Sequence, residues 1–270
     1  MHGDSLDSSF VNLLEEKARS RRARIGIGLW NADSIVLSSL KTAAEYADLV
    51  VVGNSSPVHG AQNIPAGDPC TKLVDLLEKG EIDGAVRGNL PAHRTMRCLS
   101  KRFNVKVRRL ALLDLDGWSF FLGPVGIDEG ETISDRLGLA MEGARYLKHL
   151  GIKPKVSILS GGRMEDLGRS ERVDRSLADG ELIASMAMSH GIAASHRGIL
   201  IESCKGDDLL IAPEGISGNL IFRTLLLLCG AKALGAPVMM DGIFVDSSRA
   251  RGDYTGPVVL ASALADLKRR

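Results

Sequence analysis

Short apolar runs rich in β-branched residues recur along the chain with stretches of helical periodicity between them, and this alternation limits the possible folds more than any other feature. Arg24-Ile25-Gly26-Ile27-Gly28-Leu29 reads as a strand, Asp33 suits a helix N-cap, residues 35–47 carry a helical pattern, and Leu49-Val50-Val51-Val52-Gly53 reads as the next strand. Strands without a polar face belong in a parallel sheet covered on both sides. The rhythm continues through a helix over 71–79 stopped by Gly80, a strand over 83–87, a helix over 91–102 and strands over 105–113 and 118–125. A helix over 131–150, strands over 155–159, 198–202 and 208–212, a helix over 219–234, a strand over 237–240 and a last helix near 256–268 complete it. A leading helix over 6–22 ends in a basic cluster, residues 19–24, read as a solvated helix terminus whose cations complement the dipole. The expected fold class is α/β with mostly parallel sheets.

At 270 residues the chain is long enough for two domains, although no change of composition marks a linker. The turn at Asp116-Gly117 is the best crossing point outward, and 246–248 the return. The expected domains are therefore 1–116 with 246–270, and 117–245. Thirty-four Lys and Arg against 33 Asp and Glu give a net charge of +1, which offers no broad field for nucleic acid or an anionic membrane. Any anion site must be local. The N-terminus lacks the basic and apolar regions of a signal peptide, and the longest apolar run, 220–228, is interrupted by Arg223. Cys70, Cys98, Cys204 and Cys229 form no C-x-x-C pair. A reducing cytoplasm and no membrane association are expected.

In open parallel sheets, ligands bind beyond the carboxyl ends of strands, so the search narrows to strand-to-helix loops. Three are unusual. The first, Ser160-Gly161-Gly162-Arg163 through Arg169, combines a hydroxyl, two glycines that permit a tight turn, and two guanidiniums that match phosphate. Its alternative is a surface loop whose arginines pair with Glu165, Asp166 and Glu171. The second, Pro213-Glu214-Gly215-Ile216-Ser217-Gly218-Asn219, offers Gly218 for close approach of a ligand and Asn219 as a cap or a substrate contact; its alternative is a well-capped helix. The third, Asp246-Ser247-Ser248-Arg249-Ala250-Arg251-Gly252-Asp253, brings hydroxyl, guanidinium and carboxylate together and could also be a polar turn. Arg87-Gly88-Asn89 and Asn54-Ser55-Ser56 close strands as well. Gly26-x-Gly28 lacks the third glycine of a dinucleotide site, since Asn31 stands there, no Walker A loop occurs, and the six histidines show no metal-ligand spacing. No metal site is expected.

At these loops the chain resembles the phosphate acetyl/butyryl transferase superfamily. The stretches that carry the likeness are Ser160 to Arg169, Asp179-Gly180-Glu181-Leu182, Pro213 to Asn219 and Ser248-Arg249. The opening residues 23–28 and Ala212-Pro213-Glu214-Gly215 look most like the MtxX proteins of methanogens, methyltransferase-related methanogenesis markers. The resemblance implies an isocitrate/isopropylmalate dehydrogenase-like fold of two α/β domains with a cleft between them, commonly in a homodimer. It implies an acyl phosphate and coenzyme A as ligands, with Arg163 and Arg249 on the phosphate, Ser248 stabilising the transition state and Asp253 as base for the thiol. Ser160, Gly161, Gly162, Arg169, Gly218 and Asn219 would complete the binding surface. Ala250 stands where those enzymes have glycine, so Arg169 and Arg251 could serve a different anion. The expected function is a phosphate acyltransferase-like group transferase acting on a small anionic metabolite. The alternatives are an MtxX-type methyltransferase or an accessory to methyltransferase subunits, and a non-catalytic ligand-binding protein using the same cleft.

Overall fold

In the computed structural model, which describes residues 8–53, 57–248 and 252–267, the first strand shows how the N-terminal segment packs. β1 (Arg24–Leu29) buries Ile25, Ile27 and Leu29 on one face, while Gly26 and Gly28 occupy the other. A Cβ at Gly26 would stand 2.5 Å from Ile82 Cδ1, and one at Gly28 2.2 Å from Leu90 Cδ1. These glycines let neighbouring side chains close directly onto the strand.

Helix α1 (Ser8–Arg21) precedes this strand, and α2 (Ser34–Ala43) follows it. Asp33 caps α2 as expected, accepting the Val36 amide at 2.9 Å. β2 (Asp48–Gly53), β3 (Gln62–Ile64), α3 (Pro69–Glu78), β4 (Gly84–Val86) and α4 (Ala92–Phe103) come next. The chain then enters a second compact unit, formed by Arg108–Lys232 with the segment ending at Phe10, before Ala233–Arg270 rejoins Val11–Val107 in the first.

The second unit opens with β5 (Ala111–Leu115) and β6 (Trp118–Gly123), an antiparallel hairpin. Asp116 and Gly117, at φ 51° and 83°, form its two-residue turn. Both strands belong to one unit, so 116–117 is a hairpin tip; the two units meet along the chain at 10/11, 107/108 and 232/233. α5 (Ile133–His149), β7 (Lys155–Leu159), α6 (Glu171–Ser189), β8 (Ala193–Gly198), β9 (Leu209–Ile211) and α7 (Gly215–Leu227) complete the unit. Its strands lie in the order β5-β6-β9-β7-β8, parallel apart from the hairpin.

β10 (Lys232–Pro237), β11 (Phe244–Asp246) and α8 (Thr255–Leu267) complete the first unit. Its order is β3-β2-β1-β4-β11-β10, with β11 parallel to β4 and antiparallel to β10. Phe244 joins Val50, Leu73, Leu76, Ile82 and Leu99 in one buried cluster, so the returning segment supplies part of this core. Truncating a fully buried leucine such as Leu73 to alanine costs about 2–5 kcal/mol.

Four expected elements differ. Residues 198–202 do not form a strand; β8 ends at Gly198, and a 3₁₀ turn covers Ile201–Cys204. The strand expected over 105–113 reduces to β5. α7 stops at Leu227 because Gly230, at φ 78°, reverses the chain while Cys229 and Ala231 donate to the carbonyls of Thr224 and Leu225. Residues 232–237 are then free to pair as β10, and 237–240 is not the strand. Among the described residues no helix is long and apolar enough to cross a membrane.

Candidate functional site

The turn that follows β7 is stitched to the end of β8. Ser160 N donates to Gly198 O at 2.8 Å, and Ile199 N donates to Gly162 O at 3.0 Å. The Ser160 side chain is buried. Only 2% exposed, its hydroxyl meets His196 Nε2 at 2.8 Å, and His196 Nδ1 meets Glu181 Oε2 at 3.1 Å. A Cβ at Gly180 would fall 2.6 Å from the imidazole, so this glycine makes room for the ring. Gly162 serves α6 in the same way, since a Cβ there would lie 2.8 Å from Val173 Cγ1. Gly161 donates its amide to Ser176 Oγ at 2.8 Å.

The arginines of this loop take different roles. Arg163 is exposed, and its amide donates to Asp166 Oδ2 at 2.9 Å. Arg169 pairs with the other oxygen of Asp166 at 2.6 Å. The Arg163 amide first, and then Arg169, hold the Asp166 carboxyl below the usual carboxylate range. Arg169 thus pairs within the local turn while its side chain stays 74% exposed.

The second loop is a helix start, but one turn earlier than expected. Glu214 is the N-cap of α7, accepting from Ile216 N at 2.8 Å, Ser217 N at 3.0 Å and the Ser217 hydroxyl. Burial alone would raise its pKa; the Ser217 hydroxyl and the two amides, with Arg172 nearby, hold it below the ordinary value. Gly218 is filled by protein rather than ligand. A Cβ there would stand 1.9 Å from Pro124 O, and one at Gly215 1.7 Å from Gly126 O. Asn219 lies inside the helix and donates its amide to Val125 O at 2.8 Å. These three residues dock α7 onto the segment that follows β6.

The two loops meet at a cavity of about 460 Å³. Gly161 lies on one side of it, and Pro213, Glu214 and Ser217 on another. Glu131, just before α5, and Arg136 within it add to the lining, and α6 adds Arg172, Arg175, Ser176 and Asp179. The N-terminal parts of three helices therefore line one hollow. Arg136, its side chain 6% exposed, is neutralised by Asp179 at 2.7 Å. Arg172 and Arg175 are exposed, one turn apart, and among the described residues neither forms an ion pair. Ser176, whose oxygen accepts from Gly161, retains its own proton to donate. This arrangement can hold a small anion with two guanidiniums and a hydroxyl.

The third loop belongs to the other unit. Asp246 forms a buried pair with Arg87, whose guanidinium also donates to Leu90 O at 2.7 Å and to Ser247 O. The Ser247 hydroxyl donates to Gly88 O at 2.9 Å. Ser248 is partly buried at the end of this network. Asp253 accepts the Thr255 amide at 2.9 Å, which places it at the start of α8. Arg249, Ala250 and Arg251 lie outside the described residues, as do Asn54, Ser55 and Ser56. No cluster of three or more His, Cys, Asp and Glu able to hold a metal ion occurs among the described residues.

Arg136, Arg172, Arg175, Ser176 and His196 are the residues that sequence reasoning missed. A signal existed for three of them. Ser170 followed by Glu171-Arg172-Val173-Asp174-Arg175-Ser176 spells an N-cap and a first turn with arginines on one face.

No protein-family model matches the chain. A Methanosarcina mazei protein named "Putative methyltransferase mtx subunit X" is 45% identical over 271 residues, covering 97% of each chain. The phosphate butyryltransferase of Clostridium acetobutylicum is 22% identical over 260 residues, covering 87% of this chain and 83% of that one. Among solved structures, a phosphotransacetylase from Streptococcus pyogenes superposes with a TM-score of 0.70 at 14% identity, over 96% of this chain and 98% of that one.

Proposed function

The chain belongs to the mtx subunit X family, within the phosphate acetyl/butyryl transferase superfamily, and from this we propose that its Arg108–Lys232 unit binds a phosphate-bearing metabolite for group transfer. The observation that carries the reading is the pair Arg172 and Arg175, guanidiniums one helical turn apart beside the Ser176 hydroxyl that form no ion pair among the described residues. Charge-assisted hydrogen bonds of this kind contribute about 1.5–3 kcal/mol each. Calorimetry with inorganic phosphate and acetyl phosphate tests the reading. Arg172→Ala and Arg175→Ala should each weaken binding about tenfold or more; equal affinity in wild type and both variants refutes it.

For the transfer step we assign Ser248, Arg249 and Asp253 by the family's Ser-Arg pattern. A coenzyme A thiolate would attack the carbonyl carbon of an acyl phosphate, forming the C–S bond as the C–O bond breaks and phosphate leaves with the electron pair. Asp253 would take the thiol proton, and Ser248 with Arg249 would stabilise the developing negative charge. Phosphate release from acetyl phosphate that depends on coenzyme A supports the step. Full activity in both Ser248→Ala and Arg249→Ala rejects it.

A second reading, an accessory or catalytic methyltransferase subunit, is favoured by the names of the near-full-length relatives. Methyl transfer that appears only when a partner methyltransferase is added would select it. Tight ligand binding without any turnover would instead select a purely ligand-binding role. A homodimer is supported by α7, whose outward residues Ile216, Leu220 and Leu227 form an uncovered apolar stripe. Light scattering should show Leu220→Glu shifting dimer toward monomer, and a wild-type monomer would reject the pairing.

A further inference from the structure

We propose that the loops closing β1 and β4 form a nucleobase site, with Trp30 as the stacking platform. The strand order turns at this point: the chain runs from β1 outward through β2 to β3, then places β4 on the other side of β1. Such a reversal opens a crevice at the carboxyl ends of the two strands. Trp30 is the first residue after β1. It is 55% exposed and is the one mostly exposed aromatic side chain among the described residues.

The indole stands on a clamped backbone. Trp30 N donates to Asn89 Oδ1 at 2.6 Å. Asn89 Nδ2 donates to Asn31 O at 2.6 Å and to Asn31 Oδ1 at 2.9 Å, and Asn89 N donates to Gly28 O at 3.2 Å. Gly88, at φ 63°, has no room for a Cβ, which would fall 2.0 Å from Gly28 O. The Asn89 amide is thus spent on joining the two loops and fixing the base of the ring, while the exposed Asn31 amide nitrogen retains donors for a heterocycle.

Two charged groups of these loops, Asp33 and Arg87, are already committed. Asp33 caps the helix that starts here, so its N-terminus does not call for a phosphate. The Arg87 guanidinium is shared among Asp246, Leu90 O and Ser247 O. An exposed aromatic face beside amide donors favours a planar heterocycle. Adenine is such a ring, and both coenzyme A and S-adenosylmethionine carry it. Its residues belong to the other unit, and the proposal does not depend on the Arg172 and Arg175 cavity.

The test uses Trp118→Phe, which leaves Trp30 as the sole indole of the full chain. Adenosine monophosphate should quench its fluorescence saturably, whereas ribose 5-phosphate, which lacks the base, should not. In calorimetry Trp30→Ala should raise the dissociation constant for adenosine monophosphate about five- to a hundredfold, with Trp30→Phe retaining part of the affinity. Tighter binding of coenzyme A or of S-adenosylmethionine than of the monophosphate would identify the source of the base. Absence of saturable quenching, an equal response to ribose 5-phosphate, or unchanged affinity in Trp30→Ala would overturn the proposal. Loss of phosphate binding in Arg172→Ala bears on the cavity alone, so the two readings fail separately.

Discussion

Asp179→Asn should lower stability and raise anion affinity in the same molecule. Asp179 neutralises Arg136 at 2.7 Å, with side-chain exposures of 23% and 6%. Removing one partner of a fully buried pair costs about 3–5 kcal/mol, and solvent at Asp179 reduces this to roughly 2 kcal/mol. In a chain of this size that lowers Tm by about 4–8 °C. The freed guanidinium adds one positive charge to the cavity wall. At a solvent-accessible site such a charge contributes about 1 kcal/mol toward an anion, or roughly fivefold in Kd. Melting and phosphate calorimetry in one buffer measure both effects, and high salt should suppress the gain in affinity but not the loss of Tm. An unchanged Tm would mean that the pair contributes nothing, and weaker phosphate binding would mean that Asp179 orients Arg136 for the ligand rather than competing with it.

Gly218→Ala forces a methyl group against Pro124 O and should cost more than about 2 kcal/mol, read as a drop in Tm; a neutral effect would show that α7 does not dock as described. Glu214→Gln weakens the α7 cap by about 1 kcal/mol at neutral pH. Because the folded carboxyl lies below its ordinary value of 4.5, its contribution is complete above that pH and is lost as the pH falls through the lower folded value. Melting curves of wild type and Glu214→Gln should therefore converge in acid, and a gap that persists there refutes the assignment. Ser160→Ala and His196→Ala should each loosen the 160–163 turn, measured by amide exchange, and the double variant should add little to either. Fully additive losses would mean that the two side chains act apart.

The β1-α2-β2 start and β7 were legible because their patterns are unmixed. Val50, Val51 and Val52 admit no other reading, and Asp33 marks the helix start it caps. Beyond the cap signal at Ser170, α6 was not legible because much of its buried face is small: Gly180, Ala184 and Ala187 replace the large aliphatics that make helical periodicity visible. That smallness has a cause no local pattern discloses, since the space beside Gly180 belongs to His196. The cavity inherited the omission, because Arg172 and Arg175 became visible only with α6. The glycines misled in the opposite direction. Gly162 and Gly218 suggested access for a ligand, but the room they leave is taken by Val173 and by the Pro124 carbonyl, contacts set by tertiary packing.

The insertion of Arg108–Lys232 within the other unit fixes an order of events during synthesis. All five strands of the inserted unit precede residue 232, so it can fold while the last part of the chain is still being made. The host sheet must wait. β4 has no neighbour on its outer side until β11 arrives, and Arg87 has no counter-charge until Asp246 is added. Translation that stalls before residue 246 would therefore leave a finished inserted unit beside an open sheet edge and an uncompensated guanidinium, a species that chaperones would recognise and that aggregates through its exposed strand.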